Sequence, residues 1–400
     1  MSTKTHVNNH YGELGVAPLP VEPYVSETRF REEKEKIFKK SWLSVAHISD
    51  LPKPGDYVTR DIAVLDTSIL IVRGKDGGLK AFHNVCRHRG HRVALEKKGN
   101  SAGAFTCLFH AWSYGLDGSL RGVPDEKSFP KLEKCTLGLK PVHIDQWKGF
   151  IFINVDPNPA QTLRESMGEL HDQFENYDCE QWAPIATMKA ELNCNWKLVI
   201  DAFMESYHVV SLHRNSAPKV FSSKDNPYSH LNGVRLFKKH RGISIYGNPV
   251  QDATPAASIN ARYAPSAVYV TASKKSDEVL PVGVNPDRRA DWAFDEYLIH
   301  PNFGFYTSYG WALGVRYWPV SAVKSVYEVT LYASEPTKPS QRIAMEQTVA
   351  HLFDVVLEDL STVERTQDVL ASGAIDAFQL SDMEIAIRHG ARVIEDELSA

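Results

Sequence analysis

The chain has 400 residues, of which 43% are hydrophobic and 24% are charged, and its formal net charge is −4. This length predicts two domains with ample core. The charge argues against a nucleic-acid-binding protein, which would normally carry a basic surplus. There is no apolar signal segment and no window of about 18 apolar residues, so neither export nor a membrane span is expected.

Cysteine usage indicates the compartment. The five cysteines are sparse and odd in number, which does not suggest a disulfide framework. Thiol, metal or catalytic roles in the reducing cytoplasm are the expectation.

The first 42 residues are predicted to be a loop followed by a helix that packs on the catalytic domain. Ser26 is a suitable N-cap, and Phe30 and Phe38 mark an apolar face. The charged stretch 31–40 is expected to be a solvated face.

Residues 43–157 are predicted to form a small all-β domain. Short apolar runs are separated by Gly, Pro and Asp, and the sequences "GKDGG" and "LDGS" are typical of hairpin turns.

Residues 158–400 are predicted to form a larger α+β domain. A helical pattern covers 162–174, and alternation over 324–333 predicts a strand with Tyr327, Val329 and Leu331 on one face. Two amphipathic helices are expected, at 344–370 and 381–398.

Two short segments of the β domain, "CRHRGH" and "CLFH", each provide one Cys and one His. Both follow strand-like runs, so the four side chains can converge at one end of a small sheet. A structural zinc site usually pairs Cys with Cys and His with His on separate elements. A Cys and a His on each loop favours a Rieske [2Fe–2S] cluster, in which one iron takes both thiolates and the other takes both imidazoles. A Cys2His2 zinc ribbon or unrelated loop residues are the alternatives. The residues are Cys86, His88, Cys107 and His110.

The segment "DAFMESYHVVSLH" offers two histidines to a second metal. Two His and one carboxylate on one face of Fe(II) leave positions free for O₂. On a helix, Asp201, Glu205 and His208 would share a face, but His213 would lie about 140° away from His208. We therefore expect a bulge or a helix end within 209–212.

The carboxylate ligand is expected on the helix 344–370. Asp359 interrupts an apolar stripe that includes Leu352, Val356 and Val363, whereas Glu358 points about 100° away. A carboxylate in such a stripe is costly unless it is paired or bound to a metal, which favours Asp359. The alternatives are hydrogen-bonded core histidines and an acid at the solvent edge.

Three segments together carry a family resemblance: "NVCRHRGHRVALEKKGNSAGAFTCLFHAWSYGLDGSLRGVP", "NWKLVIDAFMESYHVVSLH" and "EDLSTVERTQ". They resemble the large (α) subunits of Rieske non-haem iron oxygenases of the aromatic-ring-hydroxylating dioxygenase type. Phe109 stands where Tyr is common, Ala111 where Gly is common and Ala202 where Asn is frequent. The resemblance implies that the cluster ligands are Cys86, His88, Cys107 and His110. It implies that the iron ligands are His208, His213 and Asp359. It also implies that Glu205 is the acid that bridges the two metal sites between subunits.

The resemblance also implies the architecture and the reaction. It implies an α+β protein with a small all-β Rieske domain and a larger catalytic domain, whose antiparallel sheet is flanked by helices in a helix-grip-like arrangement. The implied activity is that of a terminal oxygenase component, which uses O₂ and electrons from NAD(P)H at a mononuclear Fe(II). No G-x-G-x-x-G follows a strand, so a separate reductase, with or without a ferredoxin, is the expected donor. A homotrimer, or an α3β3 assembly with a small β subunit, is implied.

The substrate is less evident. An aromatic substrate and dihydroxylation are expected from the frequency of that reaction in the family. The alternatives are a monooxygenase or O- or N-demethylase, including the quaternary-amine type towards which Glu205 points, and a non-catalytic Rieske electron-transfer protein with a ligand-binding domain. A zinc-stabilised binding protein is a further alternative. Arg241, Arg262 and Arg316 are expected in solvent-exposed salt bridges, and the alternative is that they bind a substrate carboxylate.

Overall fold

The structure is a computed structural model and describes residues 11–217, 219–249, 262–263 and 280–400. The chain divides into two compact units. One comprises 38–166, and the other comprises 167–400 together with the segment before residue 38. Within the described residues, no helix is both long enough and apolar enough to cross a membrane.

The N-terminal segment contains strand β1 (Leu19–Pro20) and helix α1 (Glu27–Glu33). Ser26 caps α1, because its Oγ accepts a hydrogen bond from the backbone N–H of Arg29 at 3.3 Å. The predicted helix start is confirmed. A π-helical turn over Lys34–Phe38 continues the helix.

One acid of this helix is not solvated. Glu33 is fully buried. Its two oxygens accept hydrogen bonds from Lys197 Nζ at 2.6 Å and from Trp196 Nε1 at 2.9 Å. The expectation of a wholly solvated face over 31–40 is therefore wrong at Glu33, because a buried lysine supplies the opposite charge.

The unit formed by 38–166 is all-β apart from short turns and the helical start of the next element. Its strands form a seven-stranded sheet in the order β2-β11-β10-β5-β4-β3-β6 and a three-stranded sheet in the order β7-β8-β9. The strands are β2 (Leu43–His47), β3 (Asp56–Ile62), β4 (Thr67–Arg73), β5 (Leu79–His83), β6 (Lys98–Asn100), β7 (Ala104–Thr106), β8 (Ser113–Gly115), β9 (Leu120–Gly122), β10 (Pro141–Trp147) and β11 (Phe150–Asn154).

The hairpin turns predicted from "GKDGG" and "LDGS" are confirmed between β4 and β5 and between β8 and β9. Gly118 has a φ of 80°, and a Cβ at this position would lie 2.4 Å from the ring of Phe82. Both the conformation and the space therefore require glycine.

Two short helices follow, α2 (Leu163–Met167) and α3 (Glu169–Asp172). The helical pattern predicted over 162–174 is thus interrupted at Gly168, where φ is 55°.

The larger unit is built on a seven-stranded antiparallel sheet in the order β12-β18-β17-β16-β15-β14-β13. This confirms the predicted α+β class with an antiparallel catalytic sheet. The strands are β12 (Ala183–Leu192), β13 (Gly233–Leu236), β14 (Arg241–Tyr246), β15 (Trp292–Ile299), β16 (Phe303–Ser308), β17 (Trp311–Ser321) and β18 (Lys324–Ala333).

The strand predicted over 324–333 is confirmed, but both of its faces are buried. Glu328 is only 8% exposed, and it accepts a hydrogen bond from Arg316 at 3.0 Å. The polar side of the alternating pattern is therefore an internal ion pair.

Four helices and one short strand complete this unit. The strand β19 pairs with β1. The elements are α4 (Trp196–Phe203), α5 (Val209–Leu212), α6 (Pro339–Leu370), β19 (Ala377–Phe378) and α7 (Ile385–Ser399).

Candidate metal centres and an adjoining cavity

The two Cys/His loops of the β unit have the same backbone turn. The carbonyl of Cys86 accepts a hydrogen bond from the N–H of Gly90 at 3.0 Å, and the carbonyl of Cys107 accepts one from Ala111 at 2.9 Å. Gly90 has a φ of 78° and Ala111 a φ of 55°. The two segments are thus equivalent turns, each presenting one thiol and one imidazole.

The side chains of these loops are grouped by type. Both cysteines are buried, and burial together with the Cys86 thiol raises the pKa of Cys107. The rings of His88 and His110 lie 4.5 Å apart, and Nδ1 of His88 is buried without a hydrogen-bond partner. Among the described residues, these four do not form a group of three donors around a single ion. A pair of thiols and a pair of imidazoles fits a two-iron cluster better than one zinc ion.

Two aromatic residues support this donor set, and the sequence did not reveal either role. The hydroxyl of Tyr114 lies 3.3 Å from Sγ of Cys86 and accepts a hydrogen bond from the backbone N–H of Arg87 at 2.9 Å. The ring of Trp112 stacks on His88 with centroids 4.8 Å apart. Contacts of this kind fix ligand orientation and tune a cluster's potential.

The second centre begins where helix α4 ends. The break lies at residues 204–208, so the expectation of a break within 209–212 is wrong. Residues 209–212 form the single helical turn α5, with His208 and His213 as its flanking residues. The two histidines therefore flank one helical turn, which is separated from α4 by the break.

Three electron-pair donors converge at this point. Nε2 of His213 lies 3.0 Å and Nε2 of His208 lies 3.4 Å from Oδ1 of Asp359. All three donor atoms lie within 4.8 Å of one another. Oδ1 of the buried Asp359 nevertheless has no hydrogen-bond partner with suitable geometry. When both Nε2 atoms are unprotonated, the lone pairs of these donors repel one another unless a cation lies between them, so the group fits a metal ion.

The outer nitrogen of each histidine contacts a glutamate. Nδ1 of His208 contacts Oε1 of Glu205, and Nδ1 of His213 lies 2.7 Å from Oε2 of Glu358. Donation of Nδ1–H to a carboxylate leaves Nε2 free to bind a metal. The role of Glu358 was not identified from the sequence. The sequence showed that Glu358 points away from Asp359, but it did not show that Glu358 contacts His213.

The electrostatics fit these contacts. Burial lowers the pKa of His208, but the hydrogen bond and charge of Glu205 outweigh it and the net direction is upward. Burial raises the pKa of Glu358, but its contacts with His213 and Ser216 bring it below the ordinary value. Glu358 is thus ionised near neutral pH and can accept the imidazole proton.

Asp359 occupies the stripe of helix α6 that the sequence indicated. The described side chains buried along this helix include Leu352, Val356 and Val363. Asp201, by contrast, lies away from the three metal-binding candidates. Its Oδ2 accepts a hydrogen bond from the hydroxyl of Tyr24 at 2.7 Å, and burial raises its pKa to about 6.

The arginines are not placed as expected. Arg241 and Arg316 are 3% and 2% exposed, so solvent-exposed salt bridges are wrong for both, whereas Arg262 is exposed. None of the three lines the cavity beside the histidines.

That cavity is mostly apolar and includes all three donors and Glu205. Its walls are formed by helices α4, α5 and α6 and by strands β14 to β18. The lining residues are Ala202, Phe203, Glu205, His208, Val209, His213, Phe221, Ile245, Phe294, Glu296, Tyr306, Trp311, Leu313, Tyr327, Leu352, Val355, Val356 and Asp359.

Two family models match the chain. Residues 41–136 match the Rieske [2Fe-2S] domain, and residues 179–400 match the catalytic domain of the ring hydroxylating alpha subunit. A Rieske domain joined to a catalytic domain of the mononuclear iron type defines a class of iron-dependent oxygenases. The chain belongs to the ring-hydroxylating α subunits of the Rieske non-haem iron oxygenases, as its motifs predicted.

Individual proteins resemble the chain over part of its length. The carnitine monooxygenase oxygenase subunit of Acinetobacter pittii is 37% identical over 212 residues, which are 52% of this chain and 56% of that protein. The chlorobenzene dioxygenase alpha subunit of a Cupriavidus species is 35% identical over 193 residues, or 47% and 42%. The matches thus span about half the length of these relatives.

The fold is also found in solved structures. A quaternary ammonium Rieske monooxygenase superimposes with a TM-score of 0.76 over 99% of this chain and 98% of its own, at 24% sequence identity.

Proposed function

We propose that this chain is the terminal oxygenase component of an enzyme system that hydroxylates a small organic substrate with O₂. The observation that supports this most is the convergence of His208, His213 and Asp359 on one point at the wall of an apolar cavity. When bound, a [2Fe–2S] cluster would supply electrons and Fe(II) would supply open positions for O₂. A non-catalytic electron-transfer protein would have no need of these three ligands beside a cavity.

The residues have separate roles in this proposal. Two residue sets hold the metals, and the cavity holds the substrate next to the second. The cluster ligands are Cys86, His88, Cys107 and His110, and the iron ligands are His208, His213 and Asp359. Glu205 and Glu358 hold the Nδ1 protons of the two ligand histidines, which keeps each Nε2 available to the metal.

Glu205 is proposed to have a second role. In the family, the cluster of one subunit serves the iron of its neighbour, so we infer a homotrimer or an α3β3 assembly. The Glu205 carboxylate would then accept hydrogen bonds from His208 and from the partner subunit's His110. A separate NAD(P)H-dependent reductase, with or without a ferredoxin, would deliver the electrons.

Two reactions fit the site. Monooxygenation of a nitrogen-containing substrate is our first candidate, supported by the carnitine monooxygenase relative and by a glutamate at position 205. Dihydroxylation of an aromatic ring is the second, supported by the chlorobenzene dioxygenase relative and the aromatic rings in the cavity.

The experiment is a substrate screen with a surrogate reductase and NADH, in which O₂ uptake and product mass are followed together. One added oxygen atom identifies monooxygenation and two identify dihydroxylation. The Asp359→Ala variant is the control, because it should keep the cluster and form no product. Wild-type protein that holds both metals yet forms no oxygenated product from either substrate class would contradict the proposal.

A further inference from the structure

The cavity beside the iron ligands contains a buried acid that the metal centre does not use. Glu296, on strand β15, is 7% exposed, and its Oε2 has no hydrogen-bond partner among the described residues. Burial raises its pKa well above the ordinary value, and the charges of Asp359 and Glu205 raise it further. A side-chain hydrogen bond with Tyr306 opposes this rise, but a buried carboxyl with one unpaired oxygen is still costly and needs a reason.

No charged partner for this acid lies in the part of the chain that the structure describes. None of the described residues forms an ion pair with Glu296. Among the described residues, the basic side chains that line the cavity are His208 and His213, which are neutral when they ligate a metal. A cation that enters the cavity would therefore stabilise the ionised form of Glu296, which burial disfavours.

The walls around Glu296 are aromatic. Across the strands, Glu296 pairs with Tyr306 of β16, which lines the same cavity. Phe203 stacks on Tyr327 with centroids 5.5 Å apart, forming one wall. On the other side, Phe294 contacts Phe221 at 5.9 Å and Trp311 at 5.8 Å. Aromatic faces around a carboxylate are the environment that recognises an organic ammonium group.

We propose that Glu296 and the aromatic walls bind a positively charged group of the substrate, so that the substrate class is a small organic cation. This inference rests on the proposed function, because it assigns the cavity beside the iron ligands as the substrate site. Glu296 is a substrate-binding residue that selects by charge, and it holds the cation on the strand side of the cavity, while the iron ligands come from α5, its flanks and α6.

The test is a direct binding titration, which does not depend on turnover. The probes are choline and 3,3-dimethylbutan-1-ol, which has the same shape with carbon in place of the charged nitrogen. We expect wild-type protein to bind choline about tenfold or more tightly than the alcohol. Glu296→Gln should remove this preference, because it should weaken the binding of choline and leave the binding of the alcohol unchanged. Glu296→Asp should retain part of the preference.

The control is Glu191→Gln, which removes one acid from the exposed edge of β12 and should retain the preference. Equal binding of the two probes to wild-type protein, no binding of choline, or an unchanged preference in folded Glu296→Gln would overturn the proposal. If Glu296→Gln does not fold, the wild-type comparison and Glu296→Asp decide. Oxygenation of neutral substrates alone would support the oxygenase function and contradict this inference.

Discussion

His213 and Glu358 form a 2.7 Å contact between Nδ1 and Oε2 on the side of the imidazole that faces away from Asp359. The opposite nitrogen, Nε2, lies 3.0 Å from Asp359. Adjacent acids of helix α6 thus serve the two sides of one histidine ring. Asp359 is a candidate ligand, whereas Glu358 positions another ligand.

Replacing Glu358 with Ala should weaken iron binding at the mononuclear site by about 10- to 100-fold, since the Nδ1 proton of His213 loses its acceptor. Iron affinity, measured by titration of the metal-depleted site, checks this. The sulfide content of the cluster should not change. Glu346→Ala, an exposed change on the same helix, is the matched control. Unchanged iron affinity in Glu358→Ala would show that His213 does not need this contact.

Replacing Glu205 with Gln should leave both metals bound and lower the turnover rate about tenfold or more, because the charge between His208 and the proposed neighbouring cluster is lost. The measurements are iron and sulfide content together with single-turnover product formation, in which the electrons are already stored. Full activity in this variant would exclude the coupling role.

Much of this site could be predicted from the sequence, and the failures have physical causes. The apolar stripe with Leu352 and Val356 identified Asp359, because helical periodicity is a local property. The position of the break before α5 was missed, since nothing local distinguishes 204–208 from the turn that follows. Glu358 and Glu296 were missed because the residues that surround each of them in the fold are distant from it in the sequence.

The burial of charged side chains was also not predicted from the sequence. Arg241 and Arg316 were expected in solvent-exposed salt bridges, yet each is buried. Arg316 is accommodated by Glu328 on the adjacent strand. The register of β17 against β18 supplies that partner, and register depends on the whole sheet.

Ala111 lies in the left-handed region with a φ of 55°, where the family usually has Gly. Ala111→Gly should therefore raise the free energy of unfolding of the β unit by up to about 1 kcal/mol, seen as a higher melting temperature. Ala104→Gly, in the extended strand β7, should lower it. A lower melting temperature in Ala111→Gly would mean that other contacts of the Ala111 methyl group outweigh the strain.

Glu397 on helix α7 should make stability depend on pH. Burial raises its pKa, but the opposing effects of His300 and Lys239 are larger and hold it at about 2. The folded pKa is below the unfolded value of about 4.3, so the stabilisation is present above that pH and is lost as pH falls towards 2.

We expect Glu397→Gln to cost on the order of 3 kcal/mol near pH 7, with a difference from wild type that narrows as the pH falls from about 4.5 to about 2. Chemical denaturation of both proteins at several pH values measures this difference in the free energy of unfolding. A difference that stays constant with pH would mean that Glu397 stabilises the fold by packing and not by charge.

The most direct measurement for the account as a whole is the metal and acid-labile sulfide content of purified protein. A Rieske cluster together with a mononuclear iron predicts about three irons and two sulfides per chain. His213→Ala should remove one iron and leave the sulfide unchanged. Zinc without sulfide in the wild-type protein, or loss of sulfide in that variant, would contradict the assignment of the two centres.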